Sequence, residues 1–215
     1  MIFSDHPELF ELQPGWNVAM VISPNGLTAD PSGSSDGISN REDRAMLGYL
    51  RSQSDLIVTT GATARAENYR SSKYAPLAII TTGSVDLSSI PAMQDSSIFS
   101  HYLITTKPNA RLAKFTNVPE EHVLVVRDLQ AAFLAIENLI SVNPIAKILF
   151  EGGPLVTQEL LRFKPETRFI LTVSGVSPGA IEVAETFVQN RFGTALSDRP
   201  SISMQTTVNS YLVWP

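Results

Sequence analysis

The sequence predicts an α/β domain: a mixed, mostly parallel sheet with helices on both faces and antiparallel strands toward its C-terminal end. Three observations predict it. Short runs rich in Val, Ile, Leu and Thr recur along the 215 residues and are almost continuously apolar, as strands covered on both faces are. Segments of helical periodicity lie between several of them. Beyond Val173 the pattern changes to Gly, Pro and polar residues, then to alternating segments that suit antiparallel pairing.

Taken in order, strands are predicted at Val18–Ile22, Leu56–Thr60, Leu77–Thr81, Tyr102–Thr105, Val123–Val126, Lys147–Phe150 and Arg168–Val173. A helix is predicted from Asn40, with Asp43 as an acidic first-turn residue and Met46, Leu47 and Leu50 turned inward. Asp128 can cap a second, whose apolar face carries Leu129, Ala132, Phe133, Ile136, Leu139 and Ile140 and which Asn143-Pro144 stops. A third opens at Pro154 and packs Leu155, Leu160 and Leu161. Ile181–Val188 and Thr206–Trp214 alternate and are predicted as antiparallel strands. Residues 1–15 are expected as an N-terminal extension and 16–215 as a single domain. Within it, Ser23–Asn40 is rich in Ser, Gly, Pro and Asp and is expected as a long loop of the functional kind.

With 16 Lys and Arg against 21 Asp and Glu, the net charge is −5, which argues against electrostatic binding of nucleic acid. The absence of Cys excludes disulfides, thiolate nucleophiles and sulfur-ligated zinc. His6, His101 and His122 are scattered without companions at metal-ligand spacing, so no metal site is expected, and Ser34, Ser174 and Ser177 lack a nucleophile-elbow context. The apolar runs fall short of the ~20 residues of a membrane span. Asp5, Glu8 and Glu11 stand where an export signal would carry positive charge, so a cytoplasmic protein is expected.

Ligands of open α/β sheets gather at the carboxyl ends of strands. In Phe150-Glu151-Gly152-Gly153-Pro154 a predicted strand ends in a lone acid and two glycines and then opens a helix. Either this is a tight turn, or the glycines let the backbone approach a phosphate held by the free helix amides. Thr59-Thr60-Gly61-Ala62-Thr63 offers the same choice between a Thr-rich helix cap and a second phosphate or ribose contact. Thr81-Thr82-Gly83-Ser84 repeats the arrangement. Three polar, glycine-containing strand ends suggest an extended ligand such as a dinucleotide, although the G-x-G-x-x-G fingerprint is missing.

Arg51 through Asn68, together with Glu151-Gly152-Gly153-Pro154, resembles the riboflavin-pathway pyrimidine reductases, whose fold is dihydrofolate-reductase-like. The likeness runs from about Trp16 to the end. It implies an NADPH-dependent hydride transfer to a ribosylaminopyrimidine 5′-phosphate, and a homodimer. By position it implies that Thr60, Gly61, Ala62 and Thr63 line the cofactor, that Thr82, Gly83 and Ser84 lie near its adenosine end, and that Gly152 and Gly153 hold its pyrophosphate. Glu151 and Asn25 would be the catalytic positions, and Ser23, Gly26 and Arg44 would meet the substrate. The family loop usually reads Ser-Leu-Asp-Gly, so Asn25 stands where an acid is usual, and Ala19 stands where Lys or Asn is usual. Tyr69-Arg70-Ser71-Ser72 replaces the family's Asp-Pro and downstream Arg, with Arg70 either a substitute phosphate contact or a surface residue. These departures keep two alternatives open: a reductase of the same fold with another substrate, and a nucleotide-binding protein without turnover.

Overall fold

In the computed structural model, residues 3–82, 87–95, 99–107, 116–142, 146–175, 178–196 and 200–214 are described. The strands are β1 (Gly15–Ile22), β2 (Leu56–Thr60), β3 (Leu77–Thr81), β4 (Tyr102–Thr105), β5 (Val123–Val125), β6 (Lys147–Phe150), β7 (Arg168–Ser174), β8 (Ile202–Gln205) and β9 (Asn209–Trp214). They form one sheet in the order β5-β4-β3-β2-β6-β1-β7-β9-β8. Every neighbouring pair is parallel except β7 with β9 and β9 with β8. The predicted strands up to Val173 therefore form where their apolar runs lie, and β9 lies antiparallel between β7 and the edge strand β8.

Six α-helices lie among the described residues: α1 (Pro7–Phe10), α2 (Arg41–Arg51), α3 (Gly61–Ala66), α4 (Leu129–Leu139), α5 (Pro154–Phe163) and α6 (Ala180–Phe192). Asn40 caps α2 by accepting from the amides of Glu42 and Asp43, and Asp128 caps α4 by accepting from Ala131. The stop expected at Asn143-Pro144 lies outside the described residues.

Two expectations fail. Ile181–Val188 is not a strand but the heart of α6, because Ala180, Ala184, Phe187, Val188 and Phe192 repeat at helical spacing and are the buried residues. Gly179, left-handed at φ 87°, opens that helix. Leu155 does not pack either: it is 75% exposed, while Leu160 and Leu161 are fully buried one turn on.

The sheet sorts its side chains by alternation. Val18, Phe150, Phe169, Leu171 and Trp214 face the layer of α4, α5 and α6. Ala19, Leu149, Ile170, Tyr211 and Val213 face the opposite side, under Met46 and Leu50 of α2 and under Phe3, Leu9 and Phe10. Next to them Ile57, Leu77, Ile79 and Leu103 pack with Ala64 of α3. The segment before β1 is pinned by side chain to backbone bonds: Gln53 donates to the carbonyl of Phe10 at 2.7 Å and accepts from the amide of Leu12 at 3.1 Å.

Candidate functional site

A cavity of about 580 Å³ opens at the carboxyl ends of β1 and β6, walled by α2, by the turn after β6 and by the loop that follows β1. Its position follows from the sheet order. β6 lies between β1 and β2, so the bends after β2 and β6 come out side by side. Thr59 ties them, its hydroxyl donating to the carbonyl of Glu151 at 3.1 Å.

The two glycines after β6 have different reasons to be glycine. A Cβ on Gly152 would fall 2.2 Å from Cζ of Phe150, a ring fully buried in the sheet core, so packing alone excludes a side chain there. Gly153 has φ −68° and ψ 166°, open to any residue, and a Cβ would meet only Thr63 Oγ1 at 3.7 Å. Gly153 opens α5 without a side-chain cap, leaving the first amides of that helix unoccupied by any side chain of the cap residue.

Glu151 is 7% exposed, and alternation from Phe150 turns it toward α2. There Arg51, the last residue of α2, donates from Nε to Oε1 at 2.8 Å and from Nη2 to Oε2 at 2.6 Å. The Tyr69 hydroxyl also donates to Oε2, and the Arg51 guanidinium lies 5.2 Å from the centre of the Tyr69 ring. The negative charge of Glu151 holds the Arg51 guanidinium protonated beyond its ordinary range. Burial, and then the charge of Glu151, push the ionisation of Tyr69 well above that of a free phenol. Glu151 is thus one corner of a closed ionic triad. Arg51, which taken alone reads as a surface residue, is a partner in it, and Tyr69 completes it; neither role shows in local sequence.

The remaining residues of interest divide. Thr63, Gly152, Gly153, Glu151 and Arg44 line the cavity; Thr60, Gly61, Ala62, Ser23, Asn25, Gly26 and Thr82 do not. Thr60 caps α3, its hydroxyl accepting from the Thr63 amide at 3.2 Å, and Gly61 is buried behind it. Asn25 is exposed in a turn, and the Ser23 hydroxyl accepts from the amides of Asn25 and Leu27 rather than facing the cavity. Arg44 sits at the rim, 3.6 Å from Asp36. Gly83 and Ser84 lie outside the described residues.

The long loop reaches across the cavity and is fastened on the far side. Glu67, just past α3, accepts from the Ser34 hydroxyl at 3.0 Å and from the Ser35 amide at 2.6 Å. On the near side, Asp43 of α2 lines the same cavity and is 5% exposed. It occupies the first place of the inward stripe Asp43, Met46, Leu47 and Leu50, which is why an acid in the first turn ends up inside. The Ser39 hydroxyl donates to its Oδ2 at 2.6 Å. Burial raises its ionisation above the ordinary carboxylate range, against the pull of hydrogen bonds from Ser39 and Thr172 and of the charge on Arg44.

Among the described residues no group of three or more His, Asp or Glu could hold a metal ion, and no helix is long and apolar enough to cross a membrane.

Residues 16–199 match the family model of the RibD C-terminal domain. No curated protein sequence matches. Among solved structures, a pyrimidine reductase-like protein of Corynebacterium diphtheriae is 18% identical with a TM-score of 0.63, over 94% of this chain and 91% of that one. RibD of Acinetobacter baumannii is 17% identical with a TM-score of 0.66; the match covers 94% of this chain and 58% of that one. Dihydrofolate reductase of Enterococcus faecalis, solved with NADP(H), is 10% identical with a TM-score of 0.51, over 94% of this chain and 96% of that one. At these identities the structural likeness speaks for the fold.

Proposed function

This chain belongs to the RibD C-terminal domain family of riboflavin-pathway pyrimidine reductases, and from that premise we propose that it is an NADPH-dependent oxidoreductase acting on a ribosylaminopyrimidine phosphate or a closely related heterocycle. The observation that carries the reading is the space beside Gly153. The fold does not require glycine there, whereas a pyrophosphate drawn against the first amides of α5 does, because a Cβ would fill the cradle between Gly153 and Thr63.

In this reading Thr63 and Gly153 hold the pyrophosphate, and the Thr60–Thr63 turn and Thr82 follow the cofactor toward its adenosine end. The bound nicotinamide supplies the hydride. The chain supplies orientation and exclusion of water. Arg51 and Tyr69 keep Glu151 fixed as an acceptor for ribose hydroxyls, and Arg44 and Arg70 at the rim offer charge to a substrate phosphate. A homodimer, as the family resemblance implies, belongs to the same proposal.

Two observations favour a second reading, a nucleotide-binding protein without turnover: Glu151 is already engaged by Arg51 and Tyr69, and Asn25 stands off the cavity wall. Titration with NADPH, followed by addition of the ribosylaminopyrimidine 5′-phosphate while NADPH absorbance is recorded, separates the two. Binding with oxidation supports the reductase; binding without oxidation supports the second reading; no binding overturns both.

A further inference from the structure

Resting on the reductase reading, we propose that Glu67 is a positioning residue for the reduction: it sets the loop between β1 and α2 as the wall against which the substrate is seated. The reasons begin in the path of the chain. α3 starts at the Thr60–Thr63 turn and ends at Glu67, whose amide donates to the Thr63 carbonyl at 2.9 Å. Asn68 follows at φ 48°, the one left-handed residue other than glycine among those described, and the Tyr69 amide closes back onto the Ala64 carbonyl at 2.9 Å. Asn tolerates that conformation better than most residues, and the backward bonds complete a helix-ending turn. The reversal sends near neighbours to different tasks: Tyr69 joins Glu151, and Glu67 reaches across to the loop.

The loop arrives there as a braced piece. The Asp30 amide donates to the Ser34 carbonyl at 2.8 Å, the Gly33 amide to the Asp30 carbonyl at 3.0 Å, and the Asp30 carboxylate accepts from the Ser32 amide at 2.8 Å. Gly37 lies so close to Asp30 that a Cβ on it would fall 2.3 Å from Oδ2. Where residues 30–37 stand is therefore decided by what holds them from outside.

Those outside ties differ in strength. Ser39 meets Asp43 only at the base, where the loop runs into α2. Asp36 and Arg44 lie 3.6 Å apart with both side chains more than half exposed, an arrangement worth little in water. Glu67 engages both oxygens, Oε2 with the Ser34 hydroxyl and Oε1 with the Ser35 amide. Hydrogen bonds to an ionised acceptor are about twice as strong as neutral ones, so Glu67 is the firm attachment away from the base. Gly33, Ser35 and Asp36 of the braced piece face the cavity. Its placement thus shapes the space in which a substrate must be oriented for hydride transfer.

The test compares wild type with Glu67→Ala, Glu67→Gln and Ser34→Ala, using NADPH and the ribosylaminopyrimidine 5′-phosphate. Ser34 does not line the cavity, so Ser34→Ala weakens the tether without altering the surface a substrate meets. Glu67→Ala is expected to raise KM for the pyrimidine by about tenfold or more, the worth of a hydrogen bond to a charged group, and to keep NADPH affinity within about twofold of wild type. Ser34→Ala moves KM in the same direction by less. Glu67→Gln, which retains one acceptor oxygen and the side-chain volume, falls between wild type and Glu67→Ala. Hydrogen exchange read by mass spectrometry follows the loop itself: peptides covering residues 30–37 exchange about tenfold faster in Glu67→Ala, while those of β2 and β6 keep their wild-type rates. A merely structural role would lower NADPH affinity and slow-exchange protection together throughout the chain, and that result overturns the assignment. So does a wild-type KM in folded Glu67→Ala, an unmoved KM in Ser34→Ala, or unchanged exchange of residues 30–37; each leaves the reductase reading intact. Failure of wild type to bind NADPH overturns that reading, and the positioning role with it.

Discussion

Arg51 and Glu151 meet edge to edge, two nitrogens on two oxygens, although 100 residues separate them. The pair is unevenly placed, with the Arg51 side chain 27% exposed and that of Glu151 5% exposed. Deleting the arginine strands a buried anion, whereas neutralising the acid leaves a cation that can still reach water. Arg51→Ala is therefore expected to cost about 3–5 kcal/mol, and Glu151→Gln clearly less. Urea unfolding of the two variants checks the ranking, and equal losses would mean that the triad does not hold Glu151 as a buried charge.

Tyr69→Phe removes the hydroxyl that donates to Glu151 Oε2 and keeps the ring beside Arg51. A bond to a charged acceptor sets the expected loss at about 1.5–3 kcal/mol. Because the folded phenol ionises above its unfolded value of about 10, its contribution is whole below that pH and is lost only as pH climbs through the raised value. Alkaline unfolding of wild type should thus carry a phenolate absorbance step that Tyr69→Phe lacks.

Gly152→Ala and Gly153→Ala separate packing from ligand binding. The first drives a methyl into the Phe150 ring and is expected to cost about 1–3 kcal/mol or to prevent folding. The second should change stability by no more than about 0.5 kcal/mol, as an unstrained substitution does, yet weaken NADPH. Gly153→Asp, which adds a like charge, should abolish NADPH binding in a folded protein. Melting curves and NADPH titrations on the same three proteins decide it; unchanged affinity in folded Gly153→Asp removes the pyrophosphate from this turn.

His101 gives the fold an acid limit. The Leu77 amide donates to Nδ1 at 3.2 Å, so Nδ1 carries no proton and Nε2 donates to Ser71 at 3.0 Å. Burial lowers its ionisation, against the pull of Asp95. The neutral ring stabilises the fold above the unfolded value of about 6.5, and that share is lost as pH falls through the lower folded value. His101→Ala should cost about 1–3 kcal/mol at neutral pH by leaving the Leu77 amide unpaired, and its stability should vary less between neutral and mildly acidic pH. Identical pH profiles for the two proteins would contradict this.

The parallel strands were legible because each is a dense apolar run whose burial is decided locally, and Asn40 and Asp128 announced their helices by chemistry that acts within one turn. α6 was not, since Ile181-Glu182-Val183 alternates like a strand; only Ala184, Phe187, Val188 and Phe192, taken further along, reveal the helical repeat. The Arg51–Glu151–Tyr69 triad could not be read from any window, because sheet order alone brings its members together. Asp43 could have been: it stands three and four residues before Met46 and Leu47 and so shares their face. The meaning of Gly152 needed the Phe150 ring, which no glycine motif records.

Glu67 fastens the span of Ser34 and Ser35 with a single carboxylate. Glu67 and Ser35 both belong to the lining of the cavity, so a substitution at Glu67 reaches its wall twice, once through the lost carboxylate and once through the loop that the carboxylate tethers.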